Sequence, residues 1–365
     1  MKNIIINLVI SVLFLFNNAN AEWKNSFSLN SNYDQNPFHY QGSEPININS
    51  TNILLAYKSA DNSFGLNLNT NYSLIPNLAY AQLNDNTIGI KFNNHFGANN
   101  ESDLIFTGMF GFKLNSGDFS YYNNNHYDFS VGYNYRFSEI TSLSIGNVVN
   151  LKDYYSMPDF SYMENVAYIG LKTSFETNTS ISAEVDYGYK NFSDKLFSFS
   201  GKGKNNTSAS QSFAQAIASV KIGQSLADRT GLSLLLAKSM NLSSTTSDLL
   251  SFNPDLVFEK DIYDDSYTYQ SNEATLTLSH YTFFDIKLQL FGFYFAKDYS
   301  YQYSEDVEII NPNRADKSSG IGLNLEKSFG NLKVNMNYNY TNNSSNTPVF
   351  DYNSNYFGVG FKLGF

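Results

Sequence analysis

The chain has 365 residues, no cysteine, and a formal net charge of −10 at pH 7 from 23 basic and 33 acidic side chains. The missing cysteines exclude disulfide scaffolds, thiolate metal centres, a cysteine nucleophile and c-type haem attachment, and the acidic balance argues against a nucleic-acid partner. Aromatic side chains make up 16% of the sequence and charged ones only 15%, against about 25% charged in soluble domains, a composition that suits one apolar face and one wet face.

The first element, residues 1–21, carries a single charge at Lys2, an apolar run from Ile4 to Phe16, and small residues at Ala19 and Ala21. This pattern predicts a secretory signal peptide cleaved after Ala21, too short in its apolar run for a membrane-spanning helix. Removing Lys2 leaves 22 basic and 33 acidic side chains on residues 22–365. No later segment is apolar for long enough to span a bilayer as a helix.

From residue 22 onward the hydrophobic period is two. Tyr127, Phe129, Val131, Tyr133, Tyr135 and Phe137 alternate with polar or small residues, and so do Leu332, Val334, Met336, Tyr338 and Tyr340. Such alternation predicts half-apolar β-strands. Sixteen fit, at 23–33, 50–58, 62–72, 87–96, 103–114, 126–137, 141–154, 163–175, 179–192, 211–224, 230–240, 268–280, 284–299, 318–329, 331–342 and 353–365. Fourteen or eighteen are the alternatives, because the Asn-rich 93–101 stretch and the 241–267 loop leave room for a different count.

Short connections, near 59–62, 97–102, 138–141, 176–178, 225–229, 281–284 and 329–331, alternate with long polar ones. The long ones are predicted near 34–49, 73–86, 115–125, 155–162, 193–210, 241–267, 300–317 and 343–352. This rhythm belongs to an up-and-down membrane meander. Backbone groups in hydrocarbon must be paired within the protein, so the sheet should close, with the last strand beside the first. The expected fold is an all-β, antiparallel transmembrane barrel over 22–365.

The last strand reads NYFGVGFKLGF. Its segment Tyr356–Phe365, with Phe357, Val359, Phe361, Leu363 and the terminal Phe365 at every second position, resembles the C-terminal signature of Gram-negative outer-membrane β-barrels. The resemblance implies recognition by the barrel-assembly machinery and an outer-membrane location among lipid and lipopolysaccharide, and an even strand number puts both termini on the periplasmic side. Arg314-Ala-Asp316 and the segment from Ser345 to Asn353 further resemble the closing hairpins of β-barrel porins linked to polysaccharide or surface-lipoprotein export.

With the apolar face toward lipid, the basic residues Lys58, Lys91, Lys113, Arg136, Lys172, Lys190, Lys221, Lys287, Lys333 and Lys362 should point inward. So should the acids Asp128, Glu184, Asp186 and Glu326. Lys58, Arg136, Lys172, Lys221, Lys287, Lys333 and Lys362 lie toward the short-turn ends and could ring one mouth of the barrel. Acidic residues gather instead in the long loops, at Asp255, Glu259, Asp261, Asp264 and Asp265, and at Glu305, Asp306 and Glu308. The 241–267 loop is the candidate constriction.

Tyr154, Tyr155, Tyr189, Tyr299, Tyr301 and Tyr340 at one level, and Phe96, Phe137, Phe175, Phe283, Phe284, Phe329 and Phe365 at the other, read as two interfacial girdles. Phe291, Phe293 and Phe295 break this pattern, and a β-bulge near Leu290 would turn them outward. His126 and Asp128 share a strand face, but His39, His95 and His280 lie elsewhere and no hydrolase motif occurs. No enzyme, metal or cofactor is expected. The sequence points to a passive pore for small hydrophilic solutes, leaning toward anions, with a trimer among the arrangements open to it. An export or surface-assembly barrel for polysaccharide or lipoprotein, or a structural surface barrel without an open pore, is the alternative.

Overall fold

The computed structural model describes residues 22–37, 39, 41–76, 81–97, 101–192, 211–243, 266–299, 304–305, 308–309 and 313–365. Residues 1–21, where the signal peptide is expected, most of the 241–267 loop with its acidic residues, Tyr301 and Asp306 lie outside this set. The strands are β1 (Glu22–Asp34), β2 (Ile46–Lys58), β3 (Phe64–Ile75), β4 (Ala81–Phe96), β5 (Ser102–Lys113), β6 (Asn124–Arg136), β7 (Thr141–Tyr154) and β8 (Tyr162–Ser174). There follow β9 (Thr179–Phe192), β10 (Gln211–Ala227), β11 (Thr230–Asn241), β12 (Tyr269–Tyr281) and β13 (Lys287–Tyr299). A small hairpin, β14 (Ser304–Glu305) and β15 (Glu308–Ile309), precedes β16 (Ala315–Phe329), β17 (Leu332–Ser345) and β18 (Tyr352–Gly364).

All strands but β14 and β15 form one closed barrel in which each pairs antiparallel with its neighbours in sequence, β13 passing to β16 across the small hairpin. The expected sixteen-stranded meander is therefore the observed fold. Closure runs through β1 and β18, in register from Ser26 opposite Gly364 to Asp34 opposite Tyr356. The last rung is made by Phe365, whose N–H donates to Asn25 O at 3.0 Å, while Asn25 N–H donates back at 3.3 Å. No backbone edge is left to hydrocarbon, which is the condition for a sheet to cross a bilayer.

Turn chemistry explains the tight end. Asn62, Asn178 and Asp285 adopt positive φ, and Gly97 and Gly330 do so as well. Asn, Asp and Gly tolerate the left-handed region that such reversals need. At the opposite end the strands run past the apolar band, and here the sequence reading is corrected. The connection expected over 73–86 contracts to 76–80, because β3 continues to Ile75 and β4 begins at Ala81. Gln82, Asn84 and Asn86 make the outer face of β4 polar there, so a paired strand in water looks like a loop.

The outer face is a continuous apolar surface. Leu29, Ile53, Ile90, Phe106, Phe129, Ile145, Ile169, Val185, Leu236, Leu276, Ile321 and Phe361 are all exposed on it. At the tight end stand Phe96, Phe137, Phe175, Phe283, Phe284, Phe329 and Phe365, every one exposed. The tyrosine girdle is only partly as expected. Tyr155 and Tyr189 are exposed, but Tyr154 and Tyr299 are buried at 1% and 3% exposure and belong to the inner side.

The long-loop end closes inward. The loop between β5 and β6 makes a 3-10 turn over Gly117–Tyr122. It packs Phe119 and Tyr122 on Ile46 and Ile75 of the inner wall, with Ile48, Leu83 and Met157 around them. Asn123 pins it by accepting from Asn115 N–H and donating to Asn115 O. Among the described residues, then, side chains folding onto the inner wall come from the 114–123 connection, from Met157, from Tyr267 before β12 and from Phe350 before β18. The 241–267 candidate falls largely outside the described residues.

Candidate functional site

Counting in twos from the lipid-facing residues assigns the inner wall. Cross-strand register then shows which inner side chains share a level.

At the tight end the basic residues form two arcs. In the first, Arg136 is opposite Ser142, Ser142 opposite Lys172, Lys172 opposite Ser182, and Ser182 opposite Lys221. Arg136, Lys172 and Lys221 thus occupy one row separated by serines. In the second arc Lys333 lies directly opposite Lys362, and Lys287 opposite Glu326. Glu326 accepts from Lys333 Nζ at 3.0 Å, so this arc carries its own counter-charge. Lys58 is opposite Glu22, itself 3.2 Å from Lys24. The seven residues share the inner face and one end, and on β9 the inward Glu184 stands one inner position from Ser182 of the first arc.

Higher up, a cavity of about 410 Å³ is lined by Asp85, Lys113, His126, Asp128, Lys152 and Glu164, with Asn124 and Asn150 among them. Asn150 donates to Glu164 at 2.8 Å, and His126 Nε2 lies 3.7 Å from Asp85. Lys152 and Glu164 escaped the sequence reading, since both fall where strands emerge into polar surroundings. Their positions relative to lipid-facing Leu143–Ile145 and Ile169–Leu171 carry the signal that finds them. Tyr162 supplies the hydroxyl of the cavity lining. Among the described residues no three His, Asp or Glu side chains gather as metal ligands. The other histidines are scattered, with His95 paired to Asp103, His280 to Thr230 and His39 to Tyr352.

Lys190 is only 4% exposed, its ammonium 3.9 Å from the Tyr162 ring centre and 4.9 Å from that of Phe192. Phe213 and Tyr267 complete that cluster. Four strands further round the barrel, Lys297 lies 4.5 Å from the Tyr269 centroid and 5.1 Å from that of Phe295. Cations held over ring faces combine desolvation with attraction to the ring quadrupole.

The bulge expected near Leu290 is absent. From Tyr281 opposite Lys287 to Tyr269 opposite Tyr299 the register of β12 with β13 is unbroken. Phe291, Phe293 and Phe295 therefore face inward, and the reason lies on β16. Phe291 is opposite Gly322, Phe293 opposite Gly320, and Phe295 opposite Ser318. A Cβ built on Gly320 would lie 2.6 Å from the Phe293 ring, and one on Gly322 would collide with Phe291 and with Asn339. The rings lie down into the space that the glycines leave. Beyond them Asn335 and Asn337 of β17 lean over Gly360 and Gly358 of β18, meeting Asn30 and Asn32 of β1 from the other side. On this wall an aromatic stripe runs beside an amide surface, with Glu273 opposite Phe295.

Several solved outer-membrane proteins have a similar fold. OccAB1 of Acinetobacter baumannii aligns with a TM-score of 0.55 at 8% sequence identity, over 94% of this chain and 96% of that one. OccK2 (OpdF) of Pseudomonas aeruginosa, solved in complex with glucuronate, aligns with a TM-score of 0.51 at 12% identity, over 94% and 98%. A bacterial polysaccharide outer-membrane secretin gives 0.51 at 8% identity, over 95% and 100%. No protein-family model matches the chain, and no curated protein matches it. Sixteen antiparallel strands closed on themselves, apolar outside and polar within, give this chain the fold of a porin-like Gram-negative outer-membrane β-barrel.

Proposed function

We propose that the protein is a channel in the Gram-negative outer membrane through which small hydrophilic solutes diffuse passively, with both termini and the short turns on the periplasmic side. The observation that carries this reading is the division of the closed sheet into an apolar outer face and a mainly polar inner face, where Asn, Ser, Thr, Gly and charged residues outnumber apolar side chains such as Ile105, Met109 and Val148. A sheet of sixteen strands closes around a lumen wide enough to hold water, and a polar wall suits that content. The basic row on β6–β10 would bias the periplasmic mouth toward anions, since charged rings set selectivity in pores.

Single-channel recording of the purified full-length protein in a planar bilayer tests the reading. Discrete conductance steps are expected. A folded, inserted barrel that conducts nothing would overturn it and favour a structural surface barrel.

A second reading, an export barrel for polysaccharide or lipoprotein, is favoured by one observation. The two segments that resemble closing hairpins of export-linked barrels come together, as Ser345 Oγ donates to Asp316 at 2.6 Å and Phe350 covers Arg314. A deletion strain that loses surface polysaccharide or lipoprotein while keeping its small-solute uptake would support this alternative.

A further inference from the structure

Positive charge is rare on the outer side of the sheet. Of the lysines and arginines on the described barrel strands, only Lys238, Lys317 and Lys327 take the outer face, and Lys327 stands at the short-turn end over the Phe329 ring. Lys238 and Lys317 lie near the long-loop margin of the apolar surface, and both are exposed. On β11 the neighbours of Lys238 on the outer face are Leu236 and Met240, also exposed. A charge on the lipid face is costly at the bilayer midplane and tolerated toward the interface, where a lysine stem can carry its ammonium to the level of the head groups.

The two lysines belong to one row. Lys238 is opposite Asn272, Asn272 opposite Ala296, and Ala296 opposite Lys317. With strands about 4.8 Å apart, the two backbone positions are about 14 Å from each other. Among the described residues neither lysine has an ion-pair or hydrogen-bond partner. Asp298 also faces outward, one step nearer the long loops and opposite Gln270 and Ala315, and offsets one of the two charges.

On the short-turn side of this row the outer wall is hollow. A groove of about 550 Å³ opens over Ala274 and Gly292, walled by Leu276, Tyr294, Ile321 and Tyr340. Gly292 makes the hollow, since it stands between Leu276 and Ile321 on the neighbouring strands without a side chain of its own. Ala274 is the next outward residue after Asn272, and Ser319 the next after Lys317, so the groove runs up to the charged row.

We infer that this groove and the row above it form a site for lipopolysaccharide, with an acyl chain over Gly292 and head-group phosphates at Lys238 and Lys317. An ammonium is a compact charge with three donors, which suits a phosphate, and the Asn272 amide adds a donor between the two. A neutral lipid would leave both cations without a counter-charge. A second copy docked symmetrically through the same face would set Lys238 against Lys317. The inference rests on the channel reading only for orientation: with the long loops outward, the row lies in the outer leaflet, where the phosphate-bearing lipid is lipopolysaccharide.

The test uses the full-length barrel in detergent, with lipid A, dephosphorylated lipid A and phosphatidylglycerol as probes in native mass spectrometry. The wild type should retain lipid A. Lys238→Gln and Lys317→Gln should each weaken it about fivefold, the size of one lysine against anionic lipid, and dephosphorylation about 25-fold. Gly292→Leu should weaken it by filling the groove, and a Cβ there meets only the Gly320 carbonyl oxygen at an ordinary 3.7 Å. Lys327→Gln should change nothing. Heat-modifiable migration on SDS gels reports whether each variant is folded. Failure of the folded wild type to retain lipid A, undiminished retention by the folded double lysine variant, or phosphatidylglycerol held as tightly as lipid A overturns the inference. Conductance in a planar bilayer without lipid A retention removes the site and leaves the channel. Lipid A retention without conductance does the reverse.

Discussion

The Arg314 guanidinium lies 3.4 Å from the centre of the Phe350 ring and 4.2 Å from that of Tyr299. Its Nε donates to Asp316 at 2.9 Å, and the two charged residues are 7% and 3% exposed. The loop before β18 is thus clamped onto the start of β16 by a buried ion pair between two rings. Breaking one partner of such a pair costs about 3–5 kcal/mol, because the other charge stays buried alone. Asp316→Asn and Arg314→Met should each lower the temperature of the heat-modifiable gel transition. The double variant should lose less than the two single losses added together. Strict additivity would show that the pair is not coupled.

The basic row at the tight end should govern ion preference. Lys172 and Lys221 both stand opposite Ser182 on the inner face. The wild-type reversal potential in a salt gradient should favour anions, and Lys172→Glu with Lys221→Glu should move it toward cations. Raising the ionic strength should shrink the difference, since the Debye length falls to about 3 Å at 1 M. Cation preference in the wild type, unchanged by the substitutions, would refute the selectivity reading.

Asp61 organises the first tight turn. Its Oδ1 accepts from Ser59 Oγ at 2.6 Å, Ser63 Oγ at 2.8 Å and Ser63 N–H at 3.1 Å. The Ser59 hydroxyl, then the Ser63 groups, hold its carboxyl down to about 2 from 3.8. A depressed folded-state value stabilises the folded form above the unfolded value, and this contribution fades as pH falls through the folded one. The stabilisation should therefore be complete above about pH 5 and lost as pH falls toward 2. Asp61→Asn should flatten the acid limb of thermal stability in this window while leaving its slope above pH 5 unchanged. An unaltered acid limb would mean that the turn contributes nothing to the transition.

Phe365 is both the last outward aromatic and the last backbone rung against Asn25. Deleting it removes both hydrogen bonds and the terminal residue of the Phe357–Phe365 face through which we propose that assembly begins. The amount of barrel in the outer-membrane fraction should fall several-fold, with unassembled chain degraded in the periplasm. Wild-type levels of the truncated protein would argue against a role for this residue in assembly.

How much could be read from the sequence differs by level, and particular residues show why. Period-two alternation, as in Tyr127–Phe137, needs only local information, because a strand crossing lipid must present an apolar side chain at every second position. That requirement determined the architecture, the closing strand and the inner placement of Lys172 and Lys221. It also misled where lipid ends. Beyond the bilayer both faces of a strand may be polar, so β4 from Ala81 looked like a loop, and Tyr154 and Tyr299 were assigned to the wrong side.

What the tertiary structure alone decided is which inner residues meet. Phe291 faces inward without a bulge because Gly322, thirty-one positions later in the chain, stands opposite it. Arg314 and Phe350, or Arg136, Lys172 and Lys221, become neighbours only through strand register. Alternation along one strand says which face a side chain takes. Its partner on the next strand is set by closure of the whole sheet, and no local pattern encodes that.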